Sequence, residues 1–223
     1  MITSTLERIL LGVFIIVNIA MYFYSYDNAT FVEAADAAQY YGPSLSFIEH
    51  GEFLSGEGVL FTFGTPLYSI FIAGPISIFG IENSASIIVF MQATILYLTG
   101  LLSRQILLQF SNKFGLLLHA LIIFNPNSLI TAHLIQSETL FTFSLIWSVV
   151  LAFKVINNFS LRNILFLGVL AGMTTLVKPV GLYLLLMWPI FIFIVLIIKN
   201  RQNDNQIVIL PFLTLAKNRI SVV

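Results

Sequence analysis

The stretch Ser84–Phe110, SASIIVFMQATILYLTGLLSRQILLQF, decides the class of fold. It runs longer than the roughly 20 apolar residues that cross a bilayer as a helix, and Arg104 near its end is its only charge. Similar runs lie on both sides of it. Ile9–Tyr26 precedes it, and 114–124, 137–156, 164–177 and 179–198 follow. A further run, 206–216, is cut short by the polar end of the chain at AKNRISVV. The expected fold is therefore all-α: a single transmembrane domain over residues 1–223, a polytopic helical bundle of about six or seven spans.

Composition agrees. Of 223 residues, 58% are hydrophobic and 9% charged, whereas soluble domains carry about a quarter charged residues. Ten basic residues balance ten acidic ones, so nothing points to a nucleic-acid partner. There is no cysteine, which excludes disulfides and thiol chemistry. The first run is too long for a cleavable signal and lacks a small-residue cleavage site, so it reads as a retained anchor.

Residues 27–63 are too polar to sit in lipid. The apolar segment 65–79 is short and interrupted by Pro66, Gly74 and Pro75, and it reads as interfacial. With that reading Arg8, Arg104, Lys113, Lys154, Arg162, Lys199 and Arg201 all fall on one side, which the positive-inside rule makes cytoplasmic. The 27–63 loop, Glu82, the broken NPN at Asn125–Asn127, Glu138 and Lys178 fall on the other.

Seven of the ten acids lie in or near the outer loop: Asp27, Glu33, Asp36, Glu49, Glu52, Glu57 and Glu82. Loss of basic residues on that side accounts for several of them. Asp36 is different. In EAADAAQY it sits one helical turn before Tyr40, on an amphipathic turn where burial can tune a carboxyl. Gly42-Pro43 then interrupts that turn and is expected to bend it. Glu138 opens the fourth span in QSETLF. It is either an acid favoured by the helix N-terminus or an acid turned to a wet cavity. Lys178, in LVKPVGLYL, faces outward against the orientation rule. It is either a snorkelling lysine or a partner for an anion such as a lipid phosphate. Tyr68 in TPLYSIF occupies a common interfacial position.

Taken in order, ADAAQYY, TPLYSIF, the NP break, SETLF and AGMTTLVKPVGLYL resemble the GT-C glycosyltransferases that use polyprenyl- or dolichyl-phosphate sugars. Protein O-mannosyltransferases and bacterial lipid A aminoarabinose transferases are members of that family. The resemblance covers residues 8–200 and looks like an N-terminal, truncated copy. It implies an integral-membrane enzyme that moves a hexosyl or pentosyl group to a protein, lipid or glycan acceptor on the non-cytoplasmic face. It implies Asp36 as catalytic general base and Glu138 as a second catalytic carboxylate, orienting the acceptor or helping hold a cation. Lys178 would neutralise the lipid phosphate, and Tyr40, Tyr68 and His133 join it as substrate-binding candidates. The spacing fixes no metal site: Asp36, Glu138 and His133 are the candidate ligands of an optional divalent cation. The simpler membrane is the bacterial cytoplasmic one, the endoplasmic reticulum the second. The competing readings are a non-catalytic fragment of such an enzyme and a transporter or flippase. The latter requires ionisable residues along the middle of spans, where this sequence offers almost none.

Overall fold

The computed structural model describes residues 5–27, 37–54, 65–108 and 111–205, and their regular structure is helical throughout. The helices are α1 (Thr5–Asp27), α2 (Ala37–His50), α3 (Pro66–Leu108), α4 (Asn112–Ile123), α5 (Pro126–Ala132), α6 (Glu138–Asn157), α7 (Leu161–Val177) and α8 (Leu182–Asn205). A single 3-10 turn, Pro179–Gly181, joins the last two. Asp36 and the expected seventh run at 206–216 lie outside the described residues.

Four helical segments are long and apolar enough to cross a membrane: Thr5–Ser25, α3, α6 and Pro179–Ile198. Together α4 and α5 make a fifth if they count as one bent span. Alone, α7 is apolar but shorter, about 25 Å at 1.5 Å per residue. Most side chains of α1 and α8 point away from the protein, and Ile16, Phe23, Leu186 and Phe193 are among the exposed ones. Such surfaces are consistent with an integral membrane protein.

The NPN break is where the sequence places it. Proline cannot donate to the preceding turn, so α4 ends at Ile123 and α5 restarts with Pro126 at its first position. The Asn125 side chain caps α5 by accepting from the Ser128 N–H at 3.1 Å, and the two axes differ by 53°. Ser160 caps α7 in the same way, accepting from Asn163 N–H at 3.3 Å.

One feature differs from expectation. Gly42-Pro43 does not interrupt the loop helix: α2 runs unbroken from Ala37 to His50. Pro43 and Ser44 are buried, and the Ser44 hydroxyl reaches the carbonyls of Tyr40 and Ser69. Packing on the start of α3 supports the turn that Pro43 weakens.

A second feature concerns the 65–79 segment. It and the following span are two helical arms, and the chain doubles back between them. Gly80 has φ 77° and ψ 167°, a region open essentially to glycine alone. Tyr68 and Gln92, 24 positions apart, are joined by a 2.6 Å hydrogen bond. Along a straight helix they would stand about 36 Å apart. The arm 66–79 therefore folds back on 81–108. Tyr68, Ile72 and Ile76 share one apolar cluster with Ile88, with Ala37 of α2 and with Ile135.

The two ends of the bundle differ in charge. At one end Arg104 forms an ion pair with Glu7 and donates to Asn112 Oδ1 at 2.9 Å. Glu7 and Arg104 are both largely buried, and Lys154 lies beside Gln105 at the same end. Glu138 and Lys178 meet at the other.

Candidate functional site

The site begins with two helix ends. Pro179 has no N–H and disfavours helical backbone in the residue before it. Lys178 is accordingly extended, at φ −153° and ψ 132°, and closes α7. The end carbonyl at Val177, which the helix itself leaves unpaired, is taken by the Thr65 hydroxyl at 2.7 Å. Gly181 then turns the chain so tightly that a Cβ there would lie 2.7 Å from the Thr174 backbone. Glu138 is the first residue of α6, where the helix dipole favours an acid.

The two ends face each other. Lys178 Nζ lies 2.5 Å from Glu138 Oε1, and each side chain stays about one-third exposed, at 37% and 32%. The other carboxylate oxygen, Oε2, is buried and has no hydrogen-bond partner among the described residues. The pair is thus half-open: one acceptor atom is engaged, the second is available to a donor that enters.

Beside it stands a small polar wall. Tyr40 donates to the Ser137 hydroxyl at 3.0 Å. Its ring meets the ring of Tyr68 edge-on, with centroids 4.6 Å apart. Tyr68 is completely buried, its hydroxyl held by Gln92, so it presents no face to a ligand. Tyr40 borders the site and Tyr68 stands behind it. Next to them, burial pushes the Tyr41 hydroxyl above its ordinary pKa, and a hydrogen bond with Ser84 partly offsets the rise.

His133 is placed elsewhere. Its Nδ1 is 2.9 Å from the Leu129 carbonyl and its Nε2 3.2 Å from the Asn18 carbonyl, and the ring is buried. It ties α1 to the end of α5 and does not reach the Glu138–Lys178 pair as a ligand-binding group. A carbonyl from α1, invisible in local sequence, faces its Nε2, and Nδ1 is turned to its own helix. Among the described residues no three His, Asp or Glu side chains gather as metal ligands. Asp36 lies outside the described residues; Ala37, which follows it, is buried in the cluster that holds Tyr68.

Thus the structure brings together Glu138, Lys178, Tyr40 and Tyr68, and leaves His133 aside. It adds Ser137, Thr65 and Gln92. Of these Gln92 had a readable signal, an amide alone in the apolar run IIVFMQATILYL, where an unpaired polar group is costly. Two apolar cavities lie away from the pair, one of about 440 Å³ between α7 and α8 and one of about 770 Å³ between α1 and α3. Comparison of the chain with protein-family models, with curated proteins and with solved structures found no match.

Proposed function

We propose that this chain is an integral-membrane glycosyltransferase that takes a sugar from a polyprenyl-phosphate donor and works at the bundle end that carries Glu138. In this reading α1, the second arm of α3, the α4–α5 pair, α6, α7 and α8 are six crossings, with a seventh beyond them. Arg8, Arg104, Lys113, Lys154 and Arg162 then all lie on the cytoplasmic side. Glu138 and Lys178 open to the other side of a cell membrane, and no nucleic acid takes part.

One observation carries the proposal: an ammonium and a carboxylate, 40 positions apart, meet at the end opposite to Arg104 and Lys154. A ligand that opens this pair must replace both halves of it. A sugar phosphate does so. Its phosphate takes over the Lys178 charge, while its hydroxyls donate to the Glu138 oxygens, Oε2 among them. Tyr40 gives the sugar ring an aromatic border.

The chemistry is an inverting displacement. The acceptor hydroxyl oxygen bonds to the anomeric carbon as the bond from that carbon to the phosphate oxygen breaks. The electron pair leaves with polyprenyl phosphate, whose growing charge Lys178 stabilises. The proton of the acceptor passes to Asp36, the general base that the family resemblance implies.

The test is incubation of membranes holding the wild-type chain, Asp36→Asn or Lys178→Ala with radiolabelled polyprenyl-phosphate sugars. Transfer by the wild type, abolished in both variants with insertion intact, is the expected result. Transfer by Asp36→Asn at the wild-type rate sinks the mechanism. Uptake of labelled substrate into sealed vesicles without transfer would favour a transporter instead.

A further inference from the structure

Gln92 lies inside an apolar helix, fully buried, with every polar atom of its side chain engaged. Its Oε1 accepts from the Tyr68 hydroxyl at 2.6 Å. Its Nε2 donates to the Ala132 carbonyl at 3.0 Å and to the Leu134 carbonyl at 2.7 Å. The orientation of the amide follows from its partners, because two carbonyls can only accept and must face the NH₂.

Those carbonyls belong to the end of α5 and to the loop that leads into Ser137 and Glu138. Chain that leaves a helix among apolar neighbours needs donors for such carbonyls. Leucine supplies none. Glutamate supplies no N–H. Asparagine is shorter by one methylene. Glutamine meets both carbonyls and the phenol at once.

The contacts close into a circuit. Gln92 holds Tyr68, and the Tyr68 ring meets Tyr40. Tyr40 donates to Ser137, which neighbours Glu138. From Ser137 the loop returns through Leu134 to Gln92. The fold-back at Gly80 makes this possible by placing Tyr68 against Gln92.

We infer that Gln92 is a positioning residue: through the Tyr68–Tyr40 rings and the 132–137 loop it sets where Glu138 stands relative to Lys178. Its catalytic readout rests on the glycosyltransferase reading; its structural readout does not.

The chain contains no cysteine, so single thiols can be introduced on a clean background. A water-soluble thiol reagent is used to label Gln136→Cys, in the loop, and Gln105→Cys, at the far end of α3. Adding Gln92→Leu is expected to change the labelling rate at position 136 by about tenfold and to leave position 105 unchanged. No change at 136, or equal change at both, overturns the proposal, the latter because it marks a general loosening. In the transfer assay Gln92→Leu and Gln92→Glu are expected to lower kcat with the donor KM retained. Tyr68→Phe has a smaller effect that is not additive with Gln92→Leu. Additive losses, or a change in KM alone, overturn the positioning role. If labelling behaves as expected but the wild type transfers no sugar, the reading of the reaction has failed and Gln92 keeps its place in the loop.

Discussion

Lys178 and Glu138 form an ion pair in which only one carboxylate oxygen is used, Oε1 at 2.5 Å. The second oxygen is buried and unmatched among the described residues. A donor that reaches this oxygen gains a charge-assisted hydrogen bond. Because each partner is about one-third exposed, the pair adds little to folding.

That difference gives the first prediction. Glu138→Gln and Lys178→Ala should each abolish transfer while lowering the melting temperature in detergent by less than about 4 °C. Thermal unfolding followed beside the transfer assay checks it. A large loss of stability would assign the pair to the scaffold.

The opposite holds for Glu7 and Arg104. Their side chains are only 5% and 17% exposed, so Arg104→Ala leaves a buried carboxylate without its cation. The expected cost is about 3–5 kcal/mol. Glu7→Leu combined with Arg104→Leu should cost less than Arg104→Ala alone. Equilibrium unfolding of the three variants decides between this and a dispensable surface pair.

At Gly181 the prediction is steric. A methyl group would stand 2.7 Å from backbone atoms of Thr174 and Thr175, which cannot turn aside as a side chain can. Gly181→Ala should destabilise by about 1–3 kcal/mol and shift Lys178 away from Glu138. Gly168→Ala, with open space around the glycine, is the control and should leave the melting temperature nearly unchanged.

Tyr41 gives a pH dependence. Burial raises its folded-state pKa above the ordinary value of 10.0, so near and above that pH the unfolded chain loses the proton first. The contribution is fully present below pH 10 and is lost as pH rises through the folded value. Stability should be flat from about pH 7 to 9 and fall above about 10, and Tyr41→Phe should flatten part of that fall. A decline of the same steepness in Tyr41→Phe would assign it to other groups.

What the sequence made legible was local. The break at Asn125–Pro126 and the extended Lys178 before Pro179 both follow from a missing N–H and a fixed ring. The apolar run through Gln92 announced a helix by length alone. The torsion at Gly80 was not readable, because Gly74 and Gly80 are equally permissive in sequence and only the Tyr68–Gln92 and Ile72–Ile88 contacts select one of them. Gly42-Pro43 misled for the same reason, since packing on α3 outweighed a local preference. Within the site Glu138, Lys178 and Tyr40 were found by residue type and order. The placing of His133 depended on a carbonyl 115 positions away.

The reversal at Gly80 also bears on the parity of the proposed arrangement. A straight α3 would be a rod of about 65 Å, more than twice the roughly 30 Å of hydrocarbon in a bilayer. Were its first arm to traverse the bilayer separately, every later segment of the six-crossing arrangement would be inverted. Glu138 and Lys178 would then look into the compartment that the proposal gives to Arg104. In the proposed arrangement the arm folded back at Gly80 stays uncrossed, and the solution that bathes the ion pair depends on it.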